Sequence, residues 1–268
     1  MDVTVSRLAA TVSVVVLVTS SVAAAQSEKG ARLAELVSLK ARVGNADTRV
    51  RVEALHRVWT IALSSPEPEV KLSALDLMSE PVGSASDHIR MPAVYAIAEI
   101  ACSTDDVPVK LRAIRALSEP IAASQAPIRI AAIDALNAIT ATGSQEEVVL
   151  SAVRALGPAV KSGSNGVRMP AINGLMRAIS RRHNNRADEA VIDLLVAPME
   201  SNAAIGGLEA RIMAIVAMER AGLDASEVGV KAKAMGLLQA HAARGGWEPE
   251  AKKRAQEAAT GIQNSMKP

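Results

Sequence analysis

The sequence predicts an all-α chain, a right-handed alpha-solenoid of stacked two-helix repeats, and three observations predict it. Arg51, Arg90, Arg129 and Arg168 follow one another at intervals of 39 residues, each inside a similar apolar segment, and Arg211 follows after 43. A second series, Ala74, Ala113, Ala152, Val191 and Ala234, runs between them at the same intervals. Each segment also has a helical period: Val70, Ala74, Leu75, Leu77 and Met78 fall on one broad apolar face. Self-similarity at a fixed period of this size marks a repeat architecture. A unit of two short helices cannot bury its apolar face alone, so neighbouring units must stack around one core.

The elements follow in order. Residues 1–25 read as a secretory signal peptide, because Arg7 precedes the apolar run Leu8 to Val18 and Ala23-Ala24-Ala25 precede a cleavage point before Gln26. An uncleaved anchor over residues 8–25 is the alternative. Residues 26–47 form an N-terminal capping helix, since the segment from Arg32 to Leu39 lies 39 residues before the Lys71 segment and fits its pattern. Residues 48–246 hold five repeats, punctuated by Ser64-Ser65-Pro66, Asp105-Asp106, Gly143-Ser144 and the Gly163 to Gly166 turn. Both series lengthen together before the fifth unit, so a single insertion between Pro198 and Leu208 explains both. Residues 247–268 make a C-terminal capping helix and tail.

The core must be built from Ala, Leu, Ile, Val and Met. Alanine at the central slot of most helices lets helix axes approach to about 8 Å, the close end of the usual range. Pro92 and Pro170, at equivalent places, predict a late helix start or a bend in the first turn. The lone Cys102 excludes an internal disulfide and reads as a small buried hydrophobe at a helix end.

Composition excludes several functions. The net charge is +2 and stays so without the leader, which carries only Asp2 and Arg7, so no polyanion footprint exists. Phe is absent, and Trp59, Tyr95 and Trp247 are the only aromatics, too few for a base-stacking platform. Nucleic acid is therefore excluded as a partner. His56, His88, His183 and His241 show no metal-ligand spacing, and there is no HExxH, phosphate loop or GxSxG elbow. No catalytic residue, cofactor or metal site is nominated, and the chain is not expected to be an enzyme.

The segments SPEPEVKLSALDLM and DDVPVKLRAIRAL resemble the second helix of HEAT repeats, in which an acidic or proline-rich turn precedes Val-Lys/Arg and then Ala with an aliphatic residue. The resemblance covers residues 48–246. Two features depart from it: the first helices also carry an Arg-x-x-Ala pattern, and Val149 and Asp188 stand where Lys is expected. Armadillo-like and other alpha-solenoid variants stay open. The resemblance implies a scaffold that binds proteins.

The ladder Arg51, Arg90, Arg129, Arg168 and Arg211 reads as structural. HEAT-like repeats use this slot for hydrogen bonds between units, with Asp47 and Asp87 upstream as acceptors or caps; a stripe for an acidic partner is the alternative. The loop edge changes sign along the stack, from Glu67, Glu69, Asp105, Asp106, Glu146 and Glu147 to Arg181, Arg182, His183 and Arg186, and then to Asp224 and Glu227. Glu69, Glu147, Arg181, Arg182, His183 and Arg186 are the candidate partner-binding residues, against the reading that they are only solvated surface. Trp59 and Tyr95 are expected in the core and Trp247 in the C-terminal cap. The function expected is an exported scaffold, periplasmic or secreted, that holds a protein partner as a monomer or complex subunit. A structural accessory subunit of a larger envelope complex, and an enzyme or small-ligand protein using the groove, are the alternatives.

Overall fold

The computed structural model describes residues 26–122, 125–143, 145–179, 185–200 and 207–267. The expected signal peptide lies outside these residues, as do Arg181, Arg182 and His183. Residues 26–43 form α1. The chain continues as α2 (Thr48–Ser64), α3 (Pro68–Val82), α4 (Asp87–Cys102), α5 (Val107–Ile121), α6 (Ala126–Thr142), α7 (Glu146–Ala155), α8 (Gly157–Val160), α9 (Asn165–Ile179), α10 (Asn185–Glu200), α11 (Gly207–Asp224), α12 (Val228–Ala243) and α13 (Pro249–Ser265). No strand occurs among the described residues. None of their helices is long and apolar enough to cross a membrane.

Local chemistry starts these helices. The Asp47 carboxylate accepts from the backbone N–H groups of Arg49 and Val50, at 2.8 and 3.4 Å, and Asp106 accepts from that of Val109 at 3.0 Å. Proline occupies the first turn of α3, α5 and α6, where its missing N–H would be unpaired in any case. Pro92 and Pro170 behave differently from the sequence expectation, for α4 and α9 begin five residues before them and run through. The carbonyl that Pro92 leaves without its helical donor belongs to exposed His88, where water can serve it.

The helices form two rows. The first helices α2, α4, α6, α9, α11 and α13 pack each on the next, and so do the second helices α3, α5, α7, α10 and α12. Helix α1 meets α2 through Arg57 and Glu35, and α3 through Lys29 and Glu69. One apolar cluster runs between the rows from Leu36 to Ile262, with Ala74, Ala113, Ala152 and Ala234 all fully buried along it. Small side chains at these central slots are what allow neighbouring axes to close up.

The third unit is irregular. Its second helix stops at Ala155 and resumes as the short α8, because Pro158 stands one residue earlier than Pro120 and Pro198 stand in their own units. At the far end Gly246 takes φ +82°, a left-handed conformation that favours glycine, and turns Trp247 inward. Trp247 is only 9 % exposed, with the Arg211 guanidinium 4.8 Å from its ring centroid.

If the alanine slots set the row spacing, Ala113→Leu overpacks the α5 contact and lowers unfolding free energy by about 1–3 kcal/mol in a denaturant titration. Ala138→Leu, at an exposed position of α6, is expected to change it by less than about 0.5 kcal/mol.

Candidate functional site

Two ladders of cations pin the helix ends, and they account for most of the charge that recurs from repeat to repeat. From the first helices, Arg51 Nε donates to the Val43 carbonyl at 3.0 Å, Arg129 to Ile121 at 2.9 Å, Arg168 to Ser162 at 2.7 Å and Arg211 to Met199 at 3.0 Å. Arg90 reaches the Ser84 carbonyl through its Nη2. Each acceptor lies at the C-terminal end of the preceding second helix, where carbonyls lack intrahelical donors and the helix dipole favours positive charge. The same arginines also reach forward along the chain: Arg51 lies 3.7 Å from Glu80 on α3 of its own unit, Arg90 donates to Gln125 at 3.2 Å at the start of α6, and Arg211 pairs with Glu248 before α13. Asp47 serves as the cap of α2.

The second helices carry the complementary ladder. Lys71 Nζ donates to the Ala62 carbonyl at 3.0 Å and to Ser103 Oγ at 2.8 Å, and Lys110 donates to the Thr142 carbonyl at 3.0 Å. Arg32, in the same slot of α1, donates to the Ser64 carbonyl at 2.9 Å, and Lys231 to the Leu223 carbonyl at 3.3 Å. These groups cap the C-termini of first helices. Burial pushes the Lys71 ammonium below its ordinary value. The folded state therefore holds that proton less tightly than the unfolded chain does. The resulting cost to stability is full below the lowered pKa and recovered as pH rises toward the ordinary lysine range. In the third and fourth units the slot holds Val149 and a buried Asp188.

The loop-edge residues divide. Lys29 donates to Glu69 at 2.8 Å, and this hydrogen bond holds the Glu69 carboxyl below the ordinary carboxylate value. Arg186 lies 3.4 Å from Glu146. Glu67 stands at the N-cap of α3, Asp105 lies 3.4 Å from the Lys110 ammonium, and Asp224 pairs with Arg220 at 3.6 Å. Glu147 and Arg186 meet at a groove of about 710 Å³ on the second-helix face, walled by α5, α7 and α10. Its apolar patch is Leu111, Ile114 and Leu150, with Ser118 and Ser151 beside it.

Two arginines in this groove, Arg115 and Arg154, are not among the residues that the sequence nominates, because they sit on the helices rather than the loop edge. They occupy one exposed slot, which runs Asp76, Arg115, Arg154 and Asp193 along successive second helices. The outer two are neutralised: Arg112 lies 2.5 Å from Asp76, and Lys233 lies 2.7 Å from Asp193. Arg115 and Arg154 are exposed, and among the described residues neither forms an ion pair. The two stand on neighbouring helices, α5 and α7, and both line the groove. Such a pair repels itself and attracts carboxylates. The signal that could have found it is the repeat register, where Asp, Arg, Arg, Asp is legible once the period is known.

The aromatic residues are placed unequally. Trp247 is buried in the C-terminal cap and Trp59 is half-buried against the core, but Tyr95 is 51 % exposed, which corrects its expected core position. The signal that could have found it is the helical spacing of His88 and Glu99, which share its exposed face of α4. Cys102 ends α4 half-buried, with the Thr142 hydroxyl 3.8 Å from its sulfur. Among the described residues no group of three or more His, Cys, Asp or Glu side chains is arranged to hold a metal ion.

No family model matches the sequence and no curated protein matches it. Solved structures do. A HEAT-like repeats protein from the archaeon Thermococcus onnurineus superposes with a TM-score of 0.50 at 13 % identity, covering 91 % of this chain and 94 % of its own. A computationally designed armadillo repeat protein for modular peptide recognition gives 0.50 at 20 % identity, over 84 % and 99 %. An engineered protein gives 0.50 at 18 % identity, over 86 % and 97 %. The chain has the HEAT-like, armadillo-type repeat fold.

Removal of a ladder cation is expected to unseat a helix end. Arg168→Ala leaves the Ser162 carbonyl buried without its donor and should lower unfolding free energy by about 2 kcal/mol in a denaturant titration. Arg49→Ala, at a side chain 87 % exposed, should stay within about 0.5 kcal/mol of the parent.

Proposed function

We propose that the protein is an exported, non-catalytic scaffold that holds an acidic segment of a protein partner against its second-helix face. The observation that carries this is the groove between α5, α7 and α10, in which Arg115 and Arg154 stand unneutralised above an apolar patch while the matching slots on either side are neutralised by Arg112 and Lys233. Apolar contact gives a partner affinity, and the paired guanidiniums choose carboxylates and their spacing. Glu147 and the Arg186–Glu146 pair set a limit at one end of the groove. The fold supports the same direction by analogy alone, since armadillo-type repeats have been designed for modular peptide recognition. Export rests on the leader-like residues 1–25, and the site of action proposed is the periplasm or cell exterior.

The purified mature chain, residues 26–268, is the bait in a pull-down from its own envelope fraction. A specific partner is expected at low salt and is expected to be lost with Arg115→Glu and Arg154→Glu together, with the thermal midpoint unchanged. Capture that is equal in the reversed variant, or insensitive to salt, removes the groove from the binding surface. N-terminal sequencing of the protein recovered from the envelope fraction should begin at Gln26, and a start at Met1 overturns cleavage of the leader.

A further inference from the structure

The first-helix face carries a second, chemically different pocket. It is an apolar hollow of about 270 Å³ between α2 and α4, lined chiefly by Trp59, Tyr95, His56 and Pro92, with the exposed carboxylate of Glu99 at its edge. His56 and Trp59 pack edge to face with ring centroids 5.2 Å apart. Two of the three Trp and Tyr residues in 268 residues meet here, on the surface of a protein whose core is made without Phe.

The repeat itself provides the control for whether packing asks for these rings. At Tyr95's slot the neighbouring first helices carry His56, Asp134 and Asn173, and at Trp59's slot they carry Ala98, Asn137 and Met176. Helices α6 and α9 pack in the same row without a ring at either slot. Holding the rings has a cost as well: Tyr95 leaves half its surface in water, and the Trp59 indole N–H is buried with no acceptor. A pair of rings that packing does not require at either slot points to a ligand.

The lining says which kind. Ring faces carry negative potential, and the Glu99 carboxylate forms no ion pair among the described residues, nor does the exposed Asp134 carboxylate one unit along. An anion is repelled on both counts, and a purely apolar group leaves the carboxylate unanswered. The hollow is smaller than the roughly 300–1,000 Å³ of sites for drug-sized molecules. A long apolar stem ending in a cation satisfies every wall: methylenes lie along Trp59 and Pro92, and the charged head rests between Tyr95 and Glu99.

We infer that this pocket receives a lysine or arginine side chain of a protein partner. The site is separate from the α5–α7–α10 groove and does not depend on it, so either assignment stands if the other fails.

The test is an NMR titration of the uniformly ¹⁵N-labelled protein, which has two indole N–H cross-peaks, for Trp59 and Trp247, assigned with Trp59→Phe. Added N-acetyl-lysine methylamide is expected to move the Trp59 peak, with half-saturation on the order of millimolar for so small a ligand, and to leave the buried Trp247 peak in place. Glu99→Gln is expected to weaken binding about fivefold and Tyr95→Ala at least about fivefold. Both are exposed positions, and an unchanged thermal midpoint shows that the fold is kept. The neutral norleucine derivative is expected to bind at least about fivefold more weakly than the lysine one. A Trp59 peak that does not move, or that moves equally with norleucine, overturns the inference. Tetramethylammonium binding as tightly as the lysine derivative also overturns it, because a compact ammonium ion would then suffice without the stem.

Discussion

Every unit of this stack depends on one contact: a buried or half-buried cation donating to the carbonyl end of a neighbouring helix. In helices of fifteen to eighteen residues about a quarter of the carbonyls, the last four, lack a helical donor. A core of aliphatic side chains has nothing with which to satisfy them. Arg51, Arg129 and Arg168 supply the donors from one row, and Lys71 and Lys110 supply them from the other. The benefit runs both ways, because a guanidinium or ammonium with little solvent contact also needs acceptors. The geometry of that contact fixes how each helix is set against its neighbour, and it survives the longer spacing before Arg211.

The period is therefore legible in the sequence, and so is the structural nature of the arginine ladder, because such a contact demands the same residue at the same place. What the period does not reveal is the acceptor. Lys71 and Lys110 stand out as a recurring Val-Lys-Leu motif, yet that their ammonium groups close the ends of other helices depends on distances between units. The outward position of Tyr95 is hidden for another reason. Ile89, Ala93, Val94, Ala96, Ile97 and Ala98 are all buried around it, so only His88 and Glu99, at helical spacing from Tyr95, mark the exposed side of α4. The break between α7 and α8 arises from a proline displaced by one residue, a difference too small to weigh without coordinates.

Comparing copies of the repeat separates scaffold from site better than the type of residue does. Disagreement along the loop edge points first to Glu69, Pro108, Glu147 and Arg186. Glu69 is occupied by Lys29, and Pro108 opens a helix. Disagreement on the exposed faces of the helices leads further, to Arg115 and Arg154 on one side of the stack and to Trp59, Tyr95 and Glu99 on the other. With acids proposed for one face and bases for the other, a single partner with segments of both signs would be held at two places by a chain whose net charge is only +2. Multiple weak contacts on a preformed frame combine without the entropy loss of ordering the frame itself.

The substitution of Val149 for the ladder lysine has a mechanical side. In a linear array each unit is coupled only to its neighbours, so stability is local and the weakest joint governs how the whole array yields. Where lysine bridges units elsewhere, Val149 brings only apolar contact, and the same unit contains the interrupted α7–α8 rod. Under tension or heat, the array is expected to divide near its middle into two cooperative blocks, the ends outlasting the joint between them.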